Sequence, residues 1–282
     1  MASLPYADVD FSLRSMAGRA EGFGQFAIGG LNGPVYSVTS LEDDCPDSLR
    51  KGCRKQEPLW IVFEVSGTIH LSSCLNVSSY KTIDGRGQRI KLTGGKGLRL
   101  KECEHIIVCN LEFEGGRGHD VDGIQIKPNS RHIWIDRCSL RDYNDGLIDI
   151  TRQNPSHGGD RCIRVTIHHC FFDGTRQRQP RLRFGKVHLY NNYTRNWAIY
   201  AVSQAADREV AKAGFIRSDG DVFLNGAQSC TFAGFSEECM FHPSEFYPHW
   251  TMEAASASLK AIHQILTGWQ SIQQLAQQAE TV

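Results

Sequence analysis

The chain has 282 residues, of which 40% are hydrophobic and 22% charged, and its 31 basic side chains balance 31 acidic ones. This composition excludes a disordered chain, which combines low hydrophobicity with a high net charge. It argues against a general nucleic-acid binder, because phosphate contacts require a basic excess. No run reaches the roughly 18 apolar residues of a membrane span, and the first residues carry acids where a signal peptide has an apolar run.

The predicted elements fall into three parts. Residues 1–35 are rich in glycine and predict an irregular segment, and residues 47–53 suit a short helix that caps one end of the fold. From residue 59 to residue 202, short β-branched runs alternate with turn residues, and almost nothing there has a helical period. We therefore predict a β domain over residues 36–203.

Four segments of this β domain can be aligned as copies of one unit. Their equivalent positions are Val108, Ile135, Ile167 and Leu189. Self-similarity at this period indicates a solenoid, and several short strands per repeat favour a parallel β-helix, in which outward side chains of successive turns form rows. A sandwich or barrel is the alternative for a strand-rich chain, and the aligned copies favour the β-helix.

Residues 204–282 are predicted to form a C-terminal extension packed on the β-helix. Between residues 252 and 280, apolar side chains recur at helical spacing and predict an amphipathic helix. Ten cysteines occur singly, without a C-x-x-C pair, so a zinc site is not expected. Those in apolar runs are predicted to be small buried side chains, namely Cys103, Cys109, Cys138, Cys162 and Cys170.

Two short acidic segments are candidates for a metal site. Asp120 and Asp122 share one strand face, as do Asp145 and Asp149, because side chains alternate with a period of two. If the two segments lie in stacked turns, the four carboxylates converge and require a cation, and hard oxygen ligands favour calcium. Turn formation is the alternative for each Asp-Gly pair. We assign Asp219-Gly220-Asp221 to such a turn, outside the repeats and without a partner.

A basic segment follows, with four arginines among residues 176–183. A solvated loop is the usual meaning of such a run. The alternative is a site for an anionic polymer, because guanidinium groups match the geometry of carboxylates. In an extended conformation, Arg181 and Arg183 point to the same side.

Together these residues resemble the plant-type pectate lyase family over about residues 29–202. The resemblance depends on the IWID sequence at 133–136, the two acidic segments and the RQPRLR sequence at 178–183, which is similar to the family's Arg-x-Pro-Arg-x-Arg segment. It implies an all-β, right-handed single-stranded parallel β-helix with short capping and C-terminal helices. It also implies calcium-dependent β-elimination of de-esterified α-1,4-polygalacturonate to unsaturated oligogalacturonides. From the same resemblance we expect a monomer that lies in the cell wall or outside the cell. We expect no nucleic-acid or membrane partner.

The resemblance also implies roles for single residues. Asp122, Asp145 and Asp149 correspond to calcium ligands, and Asp120 joins them when substrate is bound. Arg178 corresponds to the catalytic base, for which a calcium-bound hydroxide is the alternative. Arg183 and Arg181 correspond to residues that bind the substrate carboxylates.

Two internal deletions separate this chain from the family pattern. Between Asp149 and Arg161 a whole turn is absent, and with it the family's substrate-binding lysine, for which neither Lys127 nor Lys186 has the right sequence context. The second deletion follows Ser203, where members of the family continue with further strands. Loss of one turn brings Arg178 nearer to the acids by about 4.8 Å, one strand spacing.

Three functions compete on these grounds. The first is an active lyase, and the second is a catalytically weak or inactive β-helix that binds pectate. An inverting polygalacturonase requires two carboxylates about 6.5–9.5 Å apart and an acid for the leaving group. The sequence shows no constellation of that kind.

Overall fold

The protein is described by a computed structural model that covers residues 21–95, 97–150, 163–183, 185–204, 214–226, 231–233, 241–248, 250–256, 258, 259, 261, 263 and 267. Within these ranges the chain forms a parallel β-solenoid of about seven turns. The described residues contain 22 strands, which pair in parallel into three sheets. The predicted all-β solenoid is thus confirmed.

Each turn contributes one strand to each sheet. The eight strands of the first sheet are β1 Val35–Val38, β2 Leu59–Phe63, β5 Lys81–Asp84, β8 Glu104–Cys109, β11 Arg131–Asp136, β14 Arg164–His168, β17 Gly185–Tyr190 and β20 Gly214–Asp219. The seven strands of the second sheet are β3 Gly67–His70, β6 Ile90–Thr93, β9 Glu112–Glu114, β12 Ser139–Arg141, β15 Phe171–Asp173, β18 Tyr193–Arg195 and β21 Val222–Leu224. The seven strands of the third sheet are β4 Leu75–Val77, β7 Leu98–Leu100, β10 Asp122–Ile126, β13 Gly146–Ile150, β16 Arg181–Leu182, β19 Val202–Gln204 and β22 Phe232–Ala233.

The core consists of aliphatic side chains stacked in register between turns. Val108 pairs with Ile135, Ile135 with Ile167, and Ile167 with Leu189. All four are buried, and a buried side chain of this size contributes about 1.5–3 kcal/mol. These are the positions that the sequence repeat aligned, so the repeat reports the inter-turn register.

A sharp corner follows many strands of the first sheet. The residue after the strand has a left-handed backbone at Asn110 (φ 54°), Arg137 (φ 49°), His169 (φ 49°), Asn191 (φ 50°) and Gly220 (φ 62°). Glycine and asparagine adopt this conformation at the lowest cost. The repeated corner keeps the turns congruent, so that outward side chains align in rows.

The 219–221 segment occupies the last of these corners. Gly220 makes a turn, as predicted. The expectations that the segment lies outside the repeats and has no partner are both wrong. Asp219 ends β20 inside the stack, and it accepts hydrogen bonds from Arg217 and from the His188 ring. The stack therefore continues past residue 203, where the sequence placed its end, because β20 pairs with β17 along six residues.

The glycine-rich N-terminal segment covers the outer face of the first sheet. Gly22–Phe26 forms a 3-10 helix, and the Gly24 backbone N–H donates to Thr166 Oγ1 at 3.3 Å. Gly30 approaches so closely that a Cβ atom there would lie 1.9 Å from the Leu59 carbonyl oxygen. Close backbone contact with the sheet therefore explains part of the glycine content of this segment.

The predicted short helix is α1, Leu49–Arg54, and it packs against β1, β2 and β4 at one end of the stack. Ser48 caps it by accepting a hydrogen bond from the Lys51 N–H at 3.4 Å. The amphipathic C-terminal helix falls mostly outside the described residues, although Leu259 and His263 are described and buried. No described helix has the length and hydrophobicity of a membrane span.

Four of the five cysteines that were predicted to be interior, Cys103, Cys109, Cys138 and Cys170, are buried. Burial raises the pKa of the Cys103 thiol to about 11 and that of Cys138 to about 12. These thiols therefore remain protonated and pack as small apolar groups. Cys162 lies outside the described residues.

Candidate functional site

The two acidic segments lie in neighbouring turns of the third sheet. In the pairing of β10 with β13, Asp122 is opposite Gly146 and Gln125 is opposite Asp149. Asp120 and Asp145 lie just before these strands. The four residues Asp120, Asp122, Asp145 and Asp149 are called the carboxylate site below.

Three of these carboxylates approach one point. One oxygen each of Asp120, Asp122 and Asp145 lies within 4.8 Å of the others. Asp122 is fully buried, and its Oδ2 accepts a hydrogen bond from Gln125 Nε2 at 2.9 Å. Among the described residues, its Oδ1 has no hydrogen-bond partner. Burial, reinforced by the nearby Asp149 charge, raises the pKa of Asp122 to about 7.

The fourth carboxylate is bound by a lysine that the sequence analysis did not assign. Asp149 is almost fully buried, and Lys127 Nζ lies 3.1 Å from its Oδ2. The alternation of side chains along a β-strand could have indicated this contact. Gln125 and Lys127 share a face, and Gln125 is the register partner of Asp149.

Arg178 lies just before β16, in the next turn of the solenoid, and its side chain reaches into the carboxylate site. Its Nη1 lies 2.9 Å from Asp145 Oδ2, 3.4 Å from Asp149 Oδ1 and 3.7 Å from Asp122 Oδ1. Burial opposes the charge of the guanidinium, but the charges of Asp149, Asp122 and Asp145 outweigh burial and raise the pKa of Arg178. Arg178 is therefore a cation in this arrangement.

The backbone fixes the position of Arg178. Its φ of 63° is left-handed, and its carbonyl oxygen accepts hydrogen bonds from the N–H groups of Leu147 and Ile148 at 3.0 and 3.1 Å. The Arg178 stem passes over Gly146, where an added Cβ would lie 2.5 Å from Arg178 Cβ and 2.7 Å from Asp122 Oδ1. Only glycine leaves room at this position for both groups.

Arg181 and Arg183 lie in and directly after the adjoining strand, β16. Arg181 in β16 is the register partner of Asp149, and Arg183 donates its backbone N–H to the Ile150 carbonyl at 3.1 Å. Both side chains are partly exposed. Because β16 pairs directly with β13, no turn lies between Asp149 and the arginines in the stack. Residues 151–162 lie outside the described residues.

The site accommodates a hard cation in part. Asp120, Asp122 and Asp145 offer converging oxygens, one of them a buried oxygen without a hydrogen bond, and this donor set suits calcium. Arg178 approaches Asp122, Asp145 and Asp149 alike, but Asp149 also contacts Lys127, through its second oxygen. A cation would therefore meet three carboxylates first.

The protein resembles known proteins in sequence and in fold. A family model described as pectate lyase matches residues 145–243. Probable pectate lyase 4 of Arabidopsis thaliana is 34% identical over 242 residues, which cover 75% of this chain and 64% of that protein. Putative pectate lyase 21 of the same plant is 36% identical over 251 residues, which cover 75% of this chain and 62% of that protein.

The chain thus spans somewhat less than two thirds of the length of these relatives. Among solved structures, jun a 1, the major allergen from cedar pollen, superposes with a TM-score of 0.64 at 24% identity, covering 92% of this chain and 95% of the allergen. At this identity the likeness concerns the fold alone. The sequence matches place the chain in the pectate lyase family.

Proposed function

We propose that this protein is a lyase that cleaves de-esterified α-1,4-polygalacturonate by β-elimination and releases unsaturated oligogalacturonides. The observation that carries the proposal is the convergence of three carboxylates beside two partly exposed arginines, Arg181 in β16 and Arg183 just after it. A polyanionic substrate needs cationic partners, and an elimination next to a carboxylate needs stabilisation of the charge that develops there. The names of the relatives support the same substrate.

In this proposal each group of residues has one task. Asp120, Asp122 and Asp145 hold calcium, which when bound supplies positive charge to a uronate carboxylate. Arg181 and Arg183 pair with further carboxylates of the polymer, since guanidinium groups form two parallel hydrogen bonds to such groups. Substrate is thereby oriented along the outward face of β16.

The elimination itself needs a base near C5 of the sugar. The proton leaves C5 for the base, and the electron pair of the C5–H bond forms the C4–C5 double bond. The C4–O glycosidic bond breaks, its electron pair stays on the leaving oxygen, and that oxygen takes a proton from water. Arg178 is the base that the family resemblance implies. The surrounding carboxylates raise its pKa, so this role requires that the guanidinium first leave them.

The test is the ultraviolet absorbance of unsaturated product from polygalacturonate at mildly alkaline pH. We expect product with calcium, none with EDTA, and at least about a 100-fold lower rate for Arg178→Ala. Arg176→Ala, which removes an exposed arginine from the same segment, is the matched control and should retain the rate. Product that forms equally in EDTA would contradict the calcium role.

A second candidate is a protein that binds pectate without cleaving it. It is favoured by the contact of Arg178 with three carboxylates, which occupies the guanidinium that would act as base. Binding of polygalacturonate by folded protein, with no unsaturated product at any calcium concentration, would support this candidate and exclude the lyase.

A further inference from the structure

One charged atom bridges three carboxylates in the carboxylate site. Arg178 Nη1 lies between 2.9 and 3.7 Å from oxygens of Asp145, Asp149 and Asp122. Two of these residues, Asp122 and Asp145, also belong to the trio whose oxygens converge within 4.8 Å. The guanidinium therefore contacts the same carboxylates that a divalent cation would use.

Arg178 contacts each carboxylate through one nitrogen and forms no bidentate ion pair with any of them. All three ion pairs of Arg178 with the site involve the same nitrogen, Nη1, and its Nε is buried without a hydrogen-bond partner among the described residues. Bidentate pairing is the strong geometry for arginine and carboxylate. The Arg178 side chain is also 15% exposed, so part of it already faces solvent.

A second cation, Lys127, offsets part of the remaining negative charge. Lys127 Nζ contacts Asp149 Oδ2 at 3.1 Å, on the side of Asp149 away from the oxygen that Arg178 approaches. Four carboxylates thus face two side-chain cations. Lys127 neutralises Asp149, and Arg178 is shared between Asp149 and the two residues of the converging trio.

We propose that Arg178 is the resident counter-cation of the carboxylate site, and that a divalent cation binds there by displacing the guanidinium from Asp122 and Asp145. The inference rests on the calcium site of the proposed function. Two positive groups that share the same oxygens repel each other, so each weakens the binding of the other. The chain therefore binds calcium more weakly than its carboxylates alone would.

Displacement has a consequence for substrate. The released guanidinium, three residues before Arg181 in the chain, becomes available to a galacturonate carboxylate. Because coupling between two ligands is reciprocal, an oligogalacturonate that pairs with Arg178 raises the affinity for calcium. Removing the guanidinium abolishes this coupling.

The experiment is a calcium titration of metal-free protein by isothermal calorimetry, without substrate. We compare wild type with Arg178→Gln, and we use Arg176→Gln as the control because it removes the same charge from an exposed position two residues away. We expect Arg178→Gln to bind calcium at least about tenfold more tightly, which corresponds to about 1.4 kcal/mol. Arg176→Gln should bind calcium as wild type does.

Urea unfolding gives a second readout should Arg178→Gln fold poorly without metal. We expect its midpoint to fall in EDTA, where the carboxylates repel one another, and to recover in calcium, whereas Arg176→Gln changes in neither condition. Calcium affinity that is unchanged or weaker in Arg178→Gln would overturn the inference and leave the calcium site of the proposed function intact. Absence of calcium binding in all three proteins would overturn both.

Discussion

Two clusters of buried polar side chains lie in this solenoid, and they are stabilised in opposite ways. In the carboxylate site, negative groups face Arg178 and Lys127 across distances of 2.9–3.7 Å. The second cluster, called the histidine cluster here, lies at the C-terminal ends of β11, β14 and β17 in the first sheet. It comprises Trp134, Asp136, His168, His169, Tyr190 and His263.

The histidine cluster consists mainly of neutral stacked rings. His168 lies between Trp134 and Tyr190, with ring centroids 5.4 and 4.7 Å away. Its Nδ1 is 2.9 Å from His169 Nδ1, and its Nε2 accepts a hydrogen bond from the Trp134 indole. Burial lowers the pKa of His169 to about 3 and that of His263 to about 4.

The comparison shows what the repeat does and does not determine. Parallel stacking in register forms a row of side chains in both places, with Asp136 above His168 above Tyr190 in one and Gln125 above Asp149 above Arg181 in the other. Chemistry then decides the outcome. In the histidine cluster, aromatic and imidazole rings stack and hydrogen-bond to one another, although Asp136 Oδ1 and His263 Nδ1 have no hydrogen-bond partner among the described residues. In the carboxylate site, the buried Asp122 Oδ1 lacks a hydrogen bond and lies beside two further converging carboxylates, which is an arrangement that suits a cation.

The largest expected effect is on the stability of the stacked cluster. Trp134→Ala should lower the free energy of unfolding by about 3–5 kcal/mol, because a buried tryptophan is replaced by a cavity. Urea unfolding measures the change. Phe26→Ala, at an aromatic residue that is 49% exposed, is the control and should cost less than about 1 kcal/mol. Equal losses would show that the stack contributes no more than a surface aromatic residue.

The next effect separates ligand binding from stability. Asp122→Asn keeps the shape of the side chain but removes one charge from the carboxylate site, so we expect calcium affinity and product formation to fall at least about 100-fold. Calorimetry and the absorbance assay measure the two quantities. Asp142→Asn, in an exposed ion pair with Arg117, should leave both unchanged. A calcium affinity that survives in Asp122→Asn would mean that the cation binds elsewhere.

The smallest effect is on how the stability of the folded protein changes at acidic pH. Since the pKa of His169 is lowered to about 3, the folded state holds the ring neutral, while the unfolded chain binds a proton below its ordinary value of about 6.5. The stability from this ring is therefore present above pH 6.5 and is lost as the pH falls. Among the described residues, the charged or titratable groups that face it are Asp136, Arg137, His168, Tyr190, Glu253 and His263.

His169→Asn tests this effect, because the equivalent corners at residues 110 and 191 already hold asparagine with a left-handed backbone. We expect the loss of stability between pH 7 and pH 5 to shrink by about 2 kcal/mol in the variant. Urea unfolding at both pH values provides the measurement, with His70→Asn at an exposed position as the control. An identical pH dependence in wild type and His169→Asn would contradict a buried neutral ring.

The sequence predicted what depends on repetition. Aligning Val108, Ile135, Ile167 and Leu189 predicted the solenoid and its register, because identical turns place equivalent residues in contact. The approach of the two acidic segments followed from the same argument. The close spacing of Arg178 and the acids was expected from the missing turn.

What the sequence did not reveal depends on single side chains and on contacts outside the repeat. Lys127 bonds to Asp149 through a register that is known only once β10 and β13 are paired. The pairing of Arg178 with three carboxylates depends on the room above Gly146, which no periodicity encodes. β20 was missed because its sequence, GFIRSD, does not repeat the apolar pattern of the earlier strands.

The most direct test of the account is a crystal structure of the protein grown with and without saturating calcium. We predict that, with calcium, a cation lies among Asp120, Asp122 and Asp145 and the Arg178 guanidinium has turned away from them, whereas without calcium the guanidinium contacts Asp145 and Asp149. Arg178 that keeps its contacts with these carboxylates at saturating calcium, with no cation beside them, would contradict both the calcium site and the exchange proposed for it.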